Sequence, residues 1–316
     1  MTQFEIFLLS PDDQPIDTER IFSAFHAVGK IRQTKADSTR FVYHNLDTGV
    51  FFNLWMSALH AVDAAETELE SEEAKSDSTG EVEDAESSGL LIPPLTITIP
   101  LLCPSFFGPE AVAAVWQIAG HAGLKPEAPH SGETPEEFCD AWSLANRTAA
   151  QEPGCRSVTR WTPAESENWY QYGLARSALE AELADEPLVV PRLQAAEHDG
   201  RVKTLCAWAQ GTPTVLPRTE LVLFSRERTH RGLLFSRKVT EEGLVSGEKL
   251  WQILAPSSEV RGSPVPLLIF REARSPPQRV AAELEVLELE PVDRARRTEL
   301  LGVVDFDVTD GKESHA

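Results

Sequence analysis

The sequence predicts an α+β fold: an antiparallel sheet with helices on one face, followed by a strand-rich mixed C-terminal region. Three observations predict it. Phe41-Val42-Tyr43 and Val50-Phe51-Phe52 are apolar runs that flank a polar turn ending in Gly49, the pattern of a β-hairpin. Segments with apolar residues at helical spacing separate such runs through the first half of the chain. From Leu188 onward strand patterns dominate. The domain organisation that follows is an α+β domain over residues 1–150, a helical connection over 151–187, a strand-rich domain over 188–310 and a frayed tail over 311–316.

Taken in order, Phe4 to Leu9 is an apolar run that stops at Ser10-Pro11-Asp12-Asp13, a strand and then a turn. Asp17 is placed to cap a helix bearing Ile21, Phe22, Phe25 and Val28 at helical spacing, and Gly29 to end it. Ile31 to Lys35 reads as a strand leading into the hairpin. Residues 63–89 are rich in acidic residues, Ser, Thr and Gly and nearly lack large apolar side chains. Such a stretch buries too little to offset its ordering entropy, and disorder is expected. It reads as a solvated insertion or as an acidic lure for a basic partner. Leu95-Thr96-Ile97-Thr98-Ile99 alternates as a strand. Pro109 is expected at the first position of a helix with Val112, Val115, Trp116 and Ala119 on one face, stopped by Gly123 and Pro126. Residues 1 to about 125 then form one antiparallel sheet covered by two helices.

Thr134-Pro135-Glu136-Glu137 and Thr162-Pro163-Ala164-Glu165 each pair a capping Thr with a Glu three residues on and a proline in the first turn. Both predict helix starts. Asp199-Gly200 predicts a hairpin between Val189–Ala195 and Arg201–Trp208, with Val202, Thr204, Cys206 and Trp208 on one face. Leu221–Phe224 and Leu267–Phe270 are continuous apolar runs, as in strands buried on both faces. Ser246 is placed to cap a short helix through Leu254. Leu284 to Leu289 alternates with a slip of phase after Val286, which predicts a bulged strand. Val303 to Val308 predicts a last strand.

The 316 residues carry 50 Asp and Glu against 29 Lys and Arg, a formal charge of −21, which disfavours phosphate backbones and anionic lipid as partners. The apolar fraction of 41% is enough for a packed interior. No signal-peptide pattern or bilayer-spanning run is visible, and a cytoplasmic location is the expectation. The four cysteines, Cys103, Cys139, Cys155 and Cys206, are far apart and form no CxxC, so neither a disulfide framework nor a zinc site is indicated.

Asp47-Thr48-Gly49-Val50-Phe51-Phe52-Asn53 and Pro104-Ser105-Phe106-Phe107-Gly108-Pro109-Glu110-Ala111 resemble paired elements of an uncharacterised bacterial family, a TGVxF hairpin followed by a P-S/T-x-F-x-x-E-A helix start. The likeness covers about residues 1–150. Some proteins of this type resemble polymorphic-toxin immunity proteins, and that resemblance implies an acidic, catalytically silent binding protein. The acidic insertion departs from the pattern, and the C-terminal half lies outside the likeness.

No P-loop, GxGxxG, HExxH or GxSxG occurs. The residues therefore offer no catalytic, cofactor-binding or metal-binding set, and no cofactor is expected. The nearest approach to a nucleophile is Cys206 with His198 or His230, but Cys206 falls on an apolar strand face, which favours a buried structural thiol. His198, at a turn, is expected to face solvent. Asp305 and Asp307 share a strand face, where they fit a cation or an acid and base pair, or a solvated surface. Trp161, Trp169 and Tyr170 are the candidate partner-binding residues, because aromatics bury much area at low entropic cost, and they fit a helix core as well. The functional expectation is a non-catalytic, acidic protein-binding factor with a basic protein partner. The alternatives are an enzyme whose site is assembled from distant residues and a structural subunit.

Overall fold

The structure, a computed structural model, describes residues 3–11, 18–34, 37–57, 95–129, 131–152, 158–231, 236–262 and 265–306. The fold is α+β. The chain divides into two compact units, Met1–Asn45, Val50–Leu101 and Phe107–Ala149 in one, and Leu46–Gly49, Leu102–Phe106 and Ala150–Ala316 in the other. The expected cap at Asp17, the acidic insertion at 63–89, Asp307 and the C-terminal tail lie outside the described residues.

The first unit runs β1 (Gln3–Leu9), α1 (Thr18–Val28), β2 (Ile31–Thr34), β3 (Asp37–His44), β4 (Phe51–Met56), β5 (Leu95–Pro100), α2 (Phe107–Ala122), β6 (Lys125–Glu127) and α3 (Pro135–Gln151). Its six strands form one antiparallel sheet in the order β2-β3-β4-β5-β1-β6. The register places Phe41 opposite Leu54, Leu54 opposite Ile97 and Ile97 opposite Ile6. Alternation puts these four on one face, and all are buried. On the other face Trp55 is exposed, with the Arg40 guanidinium 3.8 Å from its ring centroid. Helices cover the apolar face: Phe25 of α1 lies 5.0 Å from the Phe41 ring, and Glu110 of α2 accepts hydrogen bonds from Tyr43 Oη and Asn45 Nδ2 at 3.3 and 2.6 Å.

Helix α2 begins two residues earlier than the proline predicts. Pro109 is its third residue, still among the first four positions whose N–H groups have no acceptor within the helix, so the missing donor costs little. Gly108 is fixed by packing, since a Cβ there would overlap the Trp142 ring of α3. The Trp142 indole donates to Pro100 O at 3.3 Å. Thr134 and Glu137 form the expected capping box of α3, with Glu137 accepting from Thr134 N–H and hydroxyl, both at 2.9 Å.

The second unit contains β7 (Thr159–Arg160), α4 (Pro163–Glu182), β8 (Gln194–His198), β9 (Arg201–Ala209), β10 (Thr214–Pro217), β11 (Leu221–Arg231), β12 (Ser236–Ser246), α5 (Gly247–Leu254), β13 (Glu259–Arg261), β14 (Leu267–Phe270), α6 (Gln278–Glu285), β15 (Ala295–Thr298) and β16 (Val303–Val304). A five-stranded mixed sheet has the order β12-β11-β9-β8-β15, with β9 and β11 parallel. A three-stranded antiparallel sheet, β10-β14-β13, buries every residue of Leu267–Phe270 at its centre. Asp199 and Gly200 have φ of 51° and 72°, as the two central residues of a type I′ hairpin turn require. Thr162 and Glu165 close the second expected capping box, at the start of α4, and Ser246 caps α5 by accepting from Lys249 N–H.

The bulged strand expected at 284–289 is not formed: Leu284 and Glu285 end helix α6, whose buried residues are Val280 and Leu284, and Val286–Leu289 follow it without strand pairing, with Leu287 buried. Among the described residues the final strand is Val303–Val304, paired in parallel with β7, and Asp305 and Phe306 do not continue it. No helix among the described residues is long and apolar enough to cross a membrane.

Candidate functional site

Trp161, Trp169 and Tyr170 come together around the N-terminal half of α4, within the second unit. Trp161 is 4% exposed, donates its indole N–H to Val202 O at 2.9 Å and lies 5.5 Å from the Trp169 ring. Trp169, equally buried, donates to Thr48 O at 2.6 Å. Tyr170 is half-buried and stacks on Phe106 at 4.8 Å. The two indoles are core, with their polar edges satisfied internally, and offer little area to a protein partner.

The turn Leu46–Gly49 is tied into the same unit. Asp47 accepts from Arg176 Nη1 at 2.9 Å and Arg192 Nε at 3.1 Å. Arg176 is buried, and it also donates to Glu180 and, at 3.2 Å, to Val190 O. Gly173 of α4 permits this approach, because a Cβ there would meet Asp47 O at 2.6 Å. Gly49 has φ +79°, the left-handed region that glycine supplies without strain.

Asp305 is not on a solvated strand face. It is 6% exposed and accepts from Ser105 N–H at 2.8 Å, Ser105 Oγ at 2.7 Å and Ser166 Oγ at 2.5 Å. A buried carboxylate needs donors of this kind, and Ser105 supplies two of them.

The nucleophile candidate is also structural. Cys206 is fully buried, its Sγ is 3.5 Å from Thr219 Oγ1, and burial pushes the thiol up to about 12. Burial likewise holds the Cys103 thiol far above its ordinary value. His198 does not face solvent, contrary to the expectation from its turn. It is 4% exposed, with Nε2 3.1 Å from Glu290 and Nδ1 3.1 Å from both Lys203 and Asp199. Its partners are these groups rather than Cys206. The His230 side chain lies outside the described residues.

The feature that sequence reasoning missed is a cavity of about 410 Å³ in the second unit, within the range of small-ligand pockets. Trp169, Tyr172, Leu193 and Val265 give it an apolar part, and Glu165, Lys203, Arg218, Glu220 and Glu248 a charged one. Glu220 stands one residue before β11, beside Thr204 one residue before the matching point of parallel β9. The two lock each other: Thr204 N–H donates to the Glu220 carboxylate and Glu220 N–H to Thr204 Oγ1, both at 3.0 Å. Burial holds the Glu220 carboxyl above the ordinary range, and the charge of Glu165 adds to it, against the Thr204 bond and the charges of Lys203 and Arg201. The available signal was Thr204, a hydroxyl on an otherwise apolar face of β9, and a Glu directly preceding an apolar run.

Among the described residues no group of three or more His, Cys, Asp or Glu side chains is placed to hold a metal ion. Comparison with protein-family models, with curated proteins and with solved structures finds no match to this chain.

Proposed function

We propose that the chain works by docking a basic protein partner, in the way an immunity protein masks a toxin, and that it is not a turnover enzyme. The observation that carries this reading is the formal charge of −21 on 316 residues. A field of one sign speeds encounter with a partner of the other and selects against like-charged competitors. The commitments of the reactive groups support it: Cys206 is held as a thiol, and Asp47 and Asp305 spend their oxygens on internal donors.

The test is purification from the native host at low salt, followed by association kinetics of the purified pair. The expected result is a stoichiometric basic protein whose association rate falls steeply with ionic strength and whose toxicity this chain suppresses. Recovery of the lone chain, with no toxic neighbouring gene product that it rescues, overturns the reading. One observation favours a second activity, the Glu220 cavity.

A further inference from the structure

We propose that the cavity of the second unit binds a small organic cation, a primary ammonium or guanidinium on a short apolar body, with Glu220 and Glu165 receiving the charge. The charge inventory of the lining points to this class. Three carboxylates face two cations, Lys203 and Arg218. Arg218 is taken by Glu248, with Nη2 2.8 Å from Oε2. Lys203 directs its ammonium to His198 Nδ1 at 3.1 Å, which is in turn tied to Glu290. Glu165 and Glu220 are left without a salt-bridge partner among the described residues.

Each of these two carboxylates is positioned by one oxygen and keeps the other. Glu165 accepts both bonds of its capping box through Oε2, at 2.7 Å from Thr162 N–H and 2.9 Å from Thr162 Oγ1. Glu220 accepts from Thr204 N–H through Oε2. Neither Oε1 makes a hydrogen bond within the described residues. Both carboxylates are therefore held on rigid supports, a helix N-terminus and a strand start, with acceptor capacity to spare. Preorganisation of this kind lowers the cost of binding. Burial holds the Glu220 carboxyl above the ordinary range, and the charge of Glu165 adds to it. The apolar part of the lining, with the Trp169 and Tyr172 rings, suits a short hydrocarbon body, and an anion would meet two carboxylates that have no salt-bridge partner among the described residues. This inference does not depend on the partner reading above.

The experiment is titration calorimetry of the full chain with phenethylamine and agmatine, alongside neutral 2-phenylethanol and anionic phenylacetate. At least one amine should bind with a dissociation constant of about 1 mM or tighter, and the neutral and anionic compounds about tenfold or more weaker. Glu220→Gln should weaken amine binding about tenfold, since a charge-assisted contact becomes neutral. Lys203→Met should strengthen it a few-fold by removing the opposing charge. Glu227→Gln, which deletes the same charge on the distant β11–β12 hairpin, should leave it unchanged. Thermal unfolding curves establish that each variant is folded, and if Glu220→Gln is not, the opposite sign expected for Lys203→Met decides. The proposal is overturned if neither amine binds with a dissociation constant of about 1 mM or tighter. It is equally overturned if 2-phenylethanol binds as well as phenethylamine, or if folded Glu220→Gln keeps the wild-type affinity. Loss of amine binding in Glu220→Gln with capture of the basic partner intact separates this site from the docking activity.

Discussion

In the six-stranded sheet of the first unit, Ile6, Leu54 and Ile97 face one another across three strands with no exposure. In the second unit Arg176, His198, Arg226 and Asp305 are buried almost as deeply, and each reaches partners through hydrogen bonds. Arg226 is the extreme case. Its guanidinium donates to Glu241, to Leu284 O at 2.6 Å and to Leu287 O at 2.9 Å, gathering the carbonyls around the C-terminus of α6. The two units therefore withstand different injuries. An apolar face loses stability in proportion to the carbon removed, and a buried ionic group loses it through the partners left behind.

The greatest loss is expected for Arg226→Ala. It strands the buried carbonyls of Leu284 and Leu287 and leaves Glu241 to Arg228, and urea unfolding should show a loss of about 3–5 kcal/mol. A loss under about 1 kcal/mol would mean that water replaces the guanidinium, and the contrast between the units would fall. Leu54→Ala, the matching injury to the first unit, should cost about 3 kcal/mol by the same measurement, through lost transfer energy and the cavity left behind. Thr162→Ala removes the Ncap side chain of α4 and should cost about 1 kcal/mol. A far larger loss would show that Glu165, freed from its capping box, matters more to the unit than its exposure implies.

A smaller effect is one of pH. The Glu220 carboxyl is raised in the folded chain, so the folded state holds that proton more tightly than the unfolded one. Its contribution to stability is complete below the ordinary carboxylate range and is lost as pH rises through the raised value. Glu186 and Glu259 run the other way. Hydrogen bonds from Arg271, and for Glu259 first from Arg261, hold them below the ordinary range, and their contribution is lost as pH falls through those lowered values. Unfolding curves over a pH series should therefore shift in favour of Glu220→Gln over wild type as pH rises through the Glu220 titration. A constant difference at all pH values would contradict that burial.

Much of the first unit is legible in the sequence because its structure is written in periodicity. The alternation in Leu95–Ile99 and the turn before Val50 specify strands and a hairpin by local sterics and one-sided burial. The capping boxes at Thr134 and Thr162 are legible for the same reason, since every partner lies within three residues. The cavity is not, because Glu165, Thr204 and Glu220 meet only after α4 packs in its unit and β9 pairs with β11. Asp305 looks solvated in the sequence because its donors, Ser105 and Ser166, are 200 and 139 residues away. His198 looks solvated because a turn residue is exposed by default, and here Glu290 and Lys203 close over it. Leu284 to Leu289 misleads because α6 ends inside it, and so short a stretch of helix end and following coil mimics alternation.

Asp47-Thr48-Gly49 and Ser105-Phe106 are held within the second unit by hydrogen bonds and ring stacking. Urea unfolding of Asp305→Ala, followed by tryptophan fluorescence, probes that attachment, because the substitution removes the acceptor of Ser105 and Ser166 and touches neither segment covalently. A loss of about 2–4 kcal/mol is expected as three donors are left unpaired. Stability within about 0.5 kcal/mol of wild type would contradict that attachment, since those donors would then have no structural need of the carboxylate.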